Sequence, residues 1–141
     1  MRTILLIISL LVSLSANAKQ LYGPYQAEVV RVVDGDTIEL NVHVWPGLVQ
    51  NIKLRLSGVN TPEKRGRNVS QCEKKAAQKA TNFTQRWVKG INRIIVTEVK
   101  LGKYAGRALG KIKKGELDLG EELIRAGHAK PYSGGRRQAW C

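Results

Sequence analysis

Residues 29–63, VVRVVDGDTIELNVHVWPGLVQNIKLRLSGVNTPE, limit the possible folds more than any other stretch of the chain. Ile38, Leu40, Val42 and Val44 alternate with Glu39, Asn41 and His43, the period-two pattern of a strand buried on one face. Ile52, Leu54 and Leu56 repeat it against Lys53, Arg55 and Ser57 over 52–59, which puts Arg55 on the face opposite its strand's apolar residues. Residues 25–33, YQAEVVRVV, are rich in β-branched side chains and suit a preceding strand. Asp34-Gly35-Asp36 is a turn signal in which Gly35 is free to take positive φ, and Trp45-Pro46-Gly47 breaks the strand over 37–44. The polar residues gather where these strands end: Asp34 and Asp36 about the glycine, Arg55 within the next run, then Asn60, Thr61 and Glu63. Paired carboxylates, an arginine and a further carboxylate are the residue types that hold a hard cation and a phosphate together.

The rest of the chain supplies a support for that cluster. Residues 71–89 read as a helix, with Ala76, Ala80, Phe83 and Trp87 along one face and Gly90 as its stop. Ser70 fits its N-cap, and Glu73 three residues on would complete a capping box. Residues 91–101 are a β-branched strand, 102–106 a loop with Lys103 and Tyr104, and 107–113 a short strand. A second helix over 119–126 is capped by Asp118 or the turn before it and stopped by Gly127. His128 has no role beyond bonding the last helix carbonyls, and His43 reads as a surface residue. The order of three strands, helix, two strands, helix is that of a mainly β, α+β fold: a five-stranded Greek-key barrel of the OB kind with two packed helices.

The first 18 residues read as an address rather than as structure. Arg2 is followed by an apolar run over 4–14, and Ala16-Asn17-Ala18 is a small-x-small cleavage site. The run is shorter than the roughly 20 residues a spanning helix needs. Cleavage after Ala18 is therefore expected, with an exported domain over 19–141 that no longer inserts in a membrane. The chain carries 24 Lys and Arg against 11 Asp and Glu. The cations are scattered from Lys53 to Arg137, and such scatter points to a polyanion partner. In an oxidising compartment Cys72 and Cys141 are expected to pair; free thiols or a metal site are the alternatives, and with His43 and His128 they lack any zinc spacing.

Five segments together resemble the staphylococcal nuclease (thermonuclease) family in that family's order. They are VVDGDTIEL at 32–40, KLRLSGVNTPE at 53–63, NFTQRWV at 82–88, KYAGRALGKI at 103–112 and GEELIRAGHAKPY at 120–132. The resemblance implies an OB-fold and a calcium-dependent phosphodiesterase that cuts DNA and RNA with little sequence preference. It implies that Asp36, Asn60 and the Thr61 carbonyl hold one calcium ion, with Asp34 as a supporting carboxylate. Glu63 would position or deprotonate the attacking water, and Arg55 and Arg107 would grip the scissile phosphate. Lys103, Tyr104 and Tyr132 are candidate contacts to base or phosphate; the two tyrosines read equally as surface aromatics.

The chemistry has its own reasons. A hydroxide approaches an anionic phosphodiester only when charge is neutralised, and a hard cation held by oxygen ligands does that. Guanidinium groups give two parallel bonds to the equatorial oxygens and stay charged at any working pH. Three departures from the family pattern follow. Asn60 stands where the family has an aspartate, which implies weaker calcium binding or a shift toward magnesium. Ala105 interrupts the K-Y-G-R run before Arg107, and the family's last helix is missing from the short tail. The alternative is a non-catalytic OB-fold that holds single strands through cations and aromatics; a basic adhesion protein comes third. A monomer is the default.

Overall fold

The computed structural model describes residues 19–103 and 106–141. The expected signal segment 1–18, Tyr104 and the Ala105 insertion lie outside the described residues.

Strands β1 (Tyr25–Asp34), β2 (Thr37–Trp45) and β3 (Leu48–Leu56) form an antiparallel meander. Helix α1 (Gln71–Val88) follows, then β5 (Ile94–Leu101) and β6 (Arg107–Lys114); the two-residue strand β4 (Val59–Asn60) precedes the helix. β1 also pairs with β5, and β5 with β6. A parallel pairing of β3 with β6, in register from Lys53–Arg107 to Leu56–Gly110, closes the sheet into the five-stranded barrel that the element order predicts. Two further short strands complete the chain: β7 (Leu117–Asp118), which leads into α2 (Leu119–Arg125), and β8 (Lys130–Pro131). β8 pairs with β4 across some seventy residues of chain, a contact that no local pattern announces.

The alternating residues face as expected except Val44, which is exposed near the end of β2 where the strand leaves the barrel core. Ile38, Leu40, Val42, Leu54 and Leu56 are buried with Val96, Ile112, Leu119 and Leu123 in one core, and Arg55 points outward. The predicted break after residue 44 is tighter than expected. Trp45 pairs with Leu48, so only Pro46 and Gly47 turn the chain, and β3 begins four residues earlier than the alternation suggested. Pro46 fixes φ and Gly47 supplies φ +79, which lets two residues make the reversal.

Helix α1 presents a different stripe from the predicted one. Ala77, Ala80, Thr81, Thr84 and Val88 are buried, whereas Ala76, Phe83 and Trp87 sit at its margin. The physical reason is that the two threonines can be buried once their hydroxyls are bonded. Thr81 donates to the Ala77 carbonyl (2.9 Å) and Thr84 to the Gly35 carbonyl (2.7 Å). This brings the helix onto the turn between β1 and β2 so closely that a Cβ on Gly35 would lie 2.8 Å from the Ala80 Cβ. Gly35 is thus required by close approach and does not take positive φ, contrary to the expectation for that turn.

Candidate functional site

The turn at residues 34–37 places Asp36 in the wall between β2 and the loop after β4. The Asp36 N–H donates to Asp34 Oδ1 (3.3 Å), the self-bonded turn that aspartate favours. The Asp36 side chain is then driven inward and the residue is only 2% exposed. Its Oδ1 accepts from Arg55 Nη1 (3.1 Å) and the Thr37 hydroxyl (3.1 Å), and its Oδ2 accepts the Thr61 N–H (3.2 Å). Arg55 Nη2 donates to Asn60 Oδ1 at 3.1 Å. One guanidinium therefore spans Asp36 and Asn60, and its own side chain is 17% exposed.

Burial pushes the Asp36 carboxyl up to about 6; Arg55 pulls it down and the neighbouring Asp34 raises it again. The side-chain oxygens gathered here are all hard: the carboxylates of Asp34 and Asp36 and the Asn60 amide. That set fits one hard divalent cation. Among the described residues no three His, Cys, Asp or Glu side chains converge on a metal position.

Glu63 is the third residue of the loop between β4 and α1. Its N–H donates to Glu73 Oε1 (3.0 Å), and Arg137 Nη1 donates to its Oε1. Ser70 does cap α1, accepting the Glu73 N–H at 3.1 Å. The expected capping box is not completed, because the Glu73 carboxylate turns to the Glu63 backbone instead. Lys64 Nζ reaches the Val33 carbonyl (3.1 Å) and fixes the loop to β1.

Arg107 opens β6 opposite Lys53, two residues before Arg55 on β3. Lys53, Arg55 and Arg107 thus share the outer face of the barrel. Lys103 is exposed at the end of β5, beside Gly102, whose N–H donates to the Arg107 carbonyl at 2.9 Å. Tyr132 follows β8 and donates its hydroxyl to the Gly135 carbonyl (2.9 Å). With Asn60, Lys130 and Arg136 it lines a cavity of about 200 Å³. The structure therefore brings Asp34, Asp36, Arg55, Asn60 and Thr61 together, sets Tyr132 beside Asn60, and gives Glu63 contacts to Glu73 and Arg137.

Sequence reading missed Glu73 and Arg137 at this site. Glu73 lies one residue after Cys72, and Arg137 four before Cys141; these cysteines form a disulfide with Cα atoms 6.2 Å apart. The expected pairing was the available signal that the tail returns to the start of α1.

A closed five-stranded barrel with two packed helices is an OB-fold, here with acids and an arginine gathered where its strands end. The family model "Staphylococcal nuclease homologue" matches residues 53–139, more than half of the chain, and the chain belongs to that family. Asp34 and Asp36 precede the matched stretch, yet Asp36 is bonded to Arg55 and Thr61 inside it. The chain is 30% identical over 130 residues to "Uncharacterized protein MJ1439" of Methanocaldococcus jannaschii. That match covers 77% of this chain and 59% of the relative, so the chain spans less than two thirds of the relative's length.

Proposed function

We propose that the protein is an exported calcium-dependent nuclease that hydrolyses the phosphodiester backbone of DNA or RNA with little sequence preference. The observation that carries this reading is Arg55 bridging Asp36 and Asn60 at 3.1 Å each, with Glu63 three residues after Asn60. A site meant only for binding a polyanion has no use for a buried carboxylate and two further acids among its cations.

Asp36, Asn60 and the Thr61 carbonyl would hold the cation, with Asp34 in support. Held by these residues, a hard cation would supply neutralisation of the phosphate charge. Arg55 and Arg107 bind the phosphate from the outer face, and such preorganised donors are worth about 3 kcal/mol each when aimed at developing charge. Glu63 accepts the proton of the attacking water, a contribution of roughly 10²–10⁴-fold. The amide at Asn60 removes one charge from the donor set, which favours weaker calcium binding and leaves magnesium as a second candidate. The disulfide fits an oxidising compartment and so supports export; the mature domain, 19–141, acts as a monomer. Lys103 and Tyr132 extend the cationic and aromatic surface toward the nucleic acid.

The second reading is a non-catalytic OB-fold module for single strands, favoured by the uncharged Asn60. Digestion of plasmid and single-stranded DNA with calcium, magnesium or chelator separates the two. Cleavage is expected with calcium, and Glu63→Gln is expected to bind DNA normally while turnover falls at least about 100-fold. Salt-sensitive binding without cleavage under any condition would leave the binding module instead.

A further inference from the structure

Arg137 donates to the carboxylate that the proposed reaction needs free, Oε1 of Glu63. Arg137 belongs to a tail segment whose far end, residues 139–141, is fastened twice. On one side Lys130 Nζ donates to the Ala139 carbonyl (2.6 Å) and lies 4.6 Å from the Trp140 ring centre. On the other, Cys141 is bonded to Cys72 in the first turn of α1, next to the Glu73 that accepts the Glu63 N–H. Residues 136–141 therefore form a strap between β8 and the start of α1, with Glu63 beneath it.

The fastening matters because the ion pair is weak by itself. The Arg137 and Glu63 side chains are 46% and 38% exposed, and a pair so open to water does not hold a free chain end. With the disulfide four residues away, the guanidinium is kept at high local concentration over the carboxylate. A carboxylate oxygen that accepts a guanidinium bond is occupied on that side, and the guanidinium stands where a water would have to approach it.

We propose that this strap is a gate on Glu63, closed by Arg137 while the Cys72–Cys141 disulfide holds it and opened by a dithiol reductant. The dithiol gives two electrons and two protons and closes to its own disulfide, while the Cys72–Cys141 bond breaks to two thiols. The gate rests on the nuclease reading, since it regulates that reaction's base.

The test is calcium-dependent hydrolysis of single-stranded DNA by the oxidised protein, the protein reduced with dithiothreitol, Cys141→Ser, and Arg137→Ala with and without reductant. Trypsin cleavage after Arg136 and Arg137 is followed on the same samples. Reduction, Cys141→Ser and Arg137→Ala are each expected to raise kcat about two- to fivefold. Reduction is expected to add nothing to Arg137→Ala, and to speed trypsin cleavage of the strap. A lower kcat/KM in Arg137→Ala through a raised KM would make Arg137 a phosphate contact and overturn the gate. Cleavage indifferent to reductant and to Arg137 would remove the gate alone. Absence of cleavage by all of the proteins would remove the nuclease reading and the gate with it.

Discussion

At the scale of single residues, the site is a contest over one buried carboxylate. Burial opposes charge on Asp36, Arg55 partly restores it, and Asp34 opposes it again. Asn60 completes the arrangement with an oxygen but no charge, and Arg55 already bonds to it. If Asn60 belongs to the cation's donor set, adding a charge there strengthens the set. Asn60→Asp is therefore expected to tighten calcium binding by about tenfold, on the order of 1.4 kcal/mol. Isothermal titration calorimetry reads this directly, and an unchanged affinity would take residue 60 out of the donor set. Arg55 itself was legible as an outward-facing cation from the alternation of its strand. What alternation does not carry is that Asp36 and Asn60, 19 and 5 residues away in sequence, would be its two acceptors.

Elements do the positioning. Helix α1 is pinned to the Asp34–Asp36 turn by the Thr84 hydroxyl, and its first turn holds the Glu63 loop through Glu73. The end of α2 meets α1 where the His128 ring lies 5.2 Å from the ring of Phe83, tilted by 52°. Burial holds the His128 imidazole below its ordinary range, with Arg86 and Lys79 acting in the same sense. The folded state thus binds fewer protons than the unfolded chain once the pH falls below about 6.5. The stability owed to neutral His128 is full above that pH and is lost progressively as the pH falls toward its depressed folded value. Denaturant midpoints for the natural protein and His128→Gln are expected to differ less at pH 5 than at pH 7.5. A constant difference would mean that His128 does not titrate between the two states.

The whole molecule is closed twice. The parallel β3–β6 pairing closes the barrel and puts Arg107 on the same face as Arg55. The Cys72–Cys141 disulfide, across 69 residues, closes the chain around α1 and the second half of the sheet. In the chain-entropy account a loop of that length adds about 4 kcal/mol by restricting the unfolded chain. Reduction is accordingly expected to lower the free energy of unfolding in urea by roughly that amount with the barrel still folded. A loss well under 1 kcal/mol would mean that the reduced unfolded chain is already compact. Among the described residues no helix is long and apolar enough to cross a membrane, and the disulfide is a covalent restraint that the small barrel adds to its core.

The sequence by itself determined the periodic parts of the protein. Strand alternation picked out Ile38, Leu40, Leu54 and Leu56 for the core and Arg55 for the outside, because a strand's side chains change face at every residue. Ser70, Asp118 and Gly127 marked helix ends, because capping is a bond between near neighbours. The motif order also carried the family and the barrel. Tertiary structure alone decided which face α1 buries, since Thr81 and Thr84 become core residues only once their hydroxyls find carbonyls. It decided that Glu73 serves Glu63 rather than its own helix cap, and that Arg137 lies on Glu63 from 74 residues away. The physical reason is common to these cases. A polar group's partner is set by where the packed chain brings it, and local spacing holds no record of contacts formed across the fold.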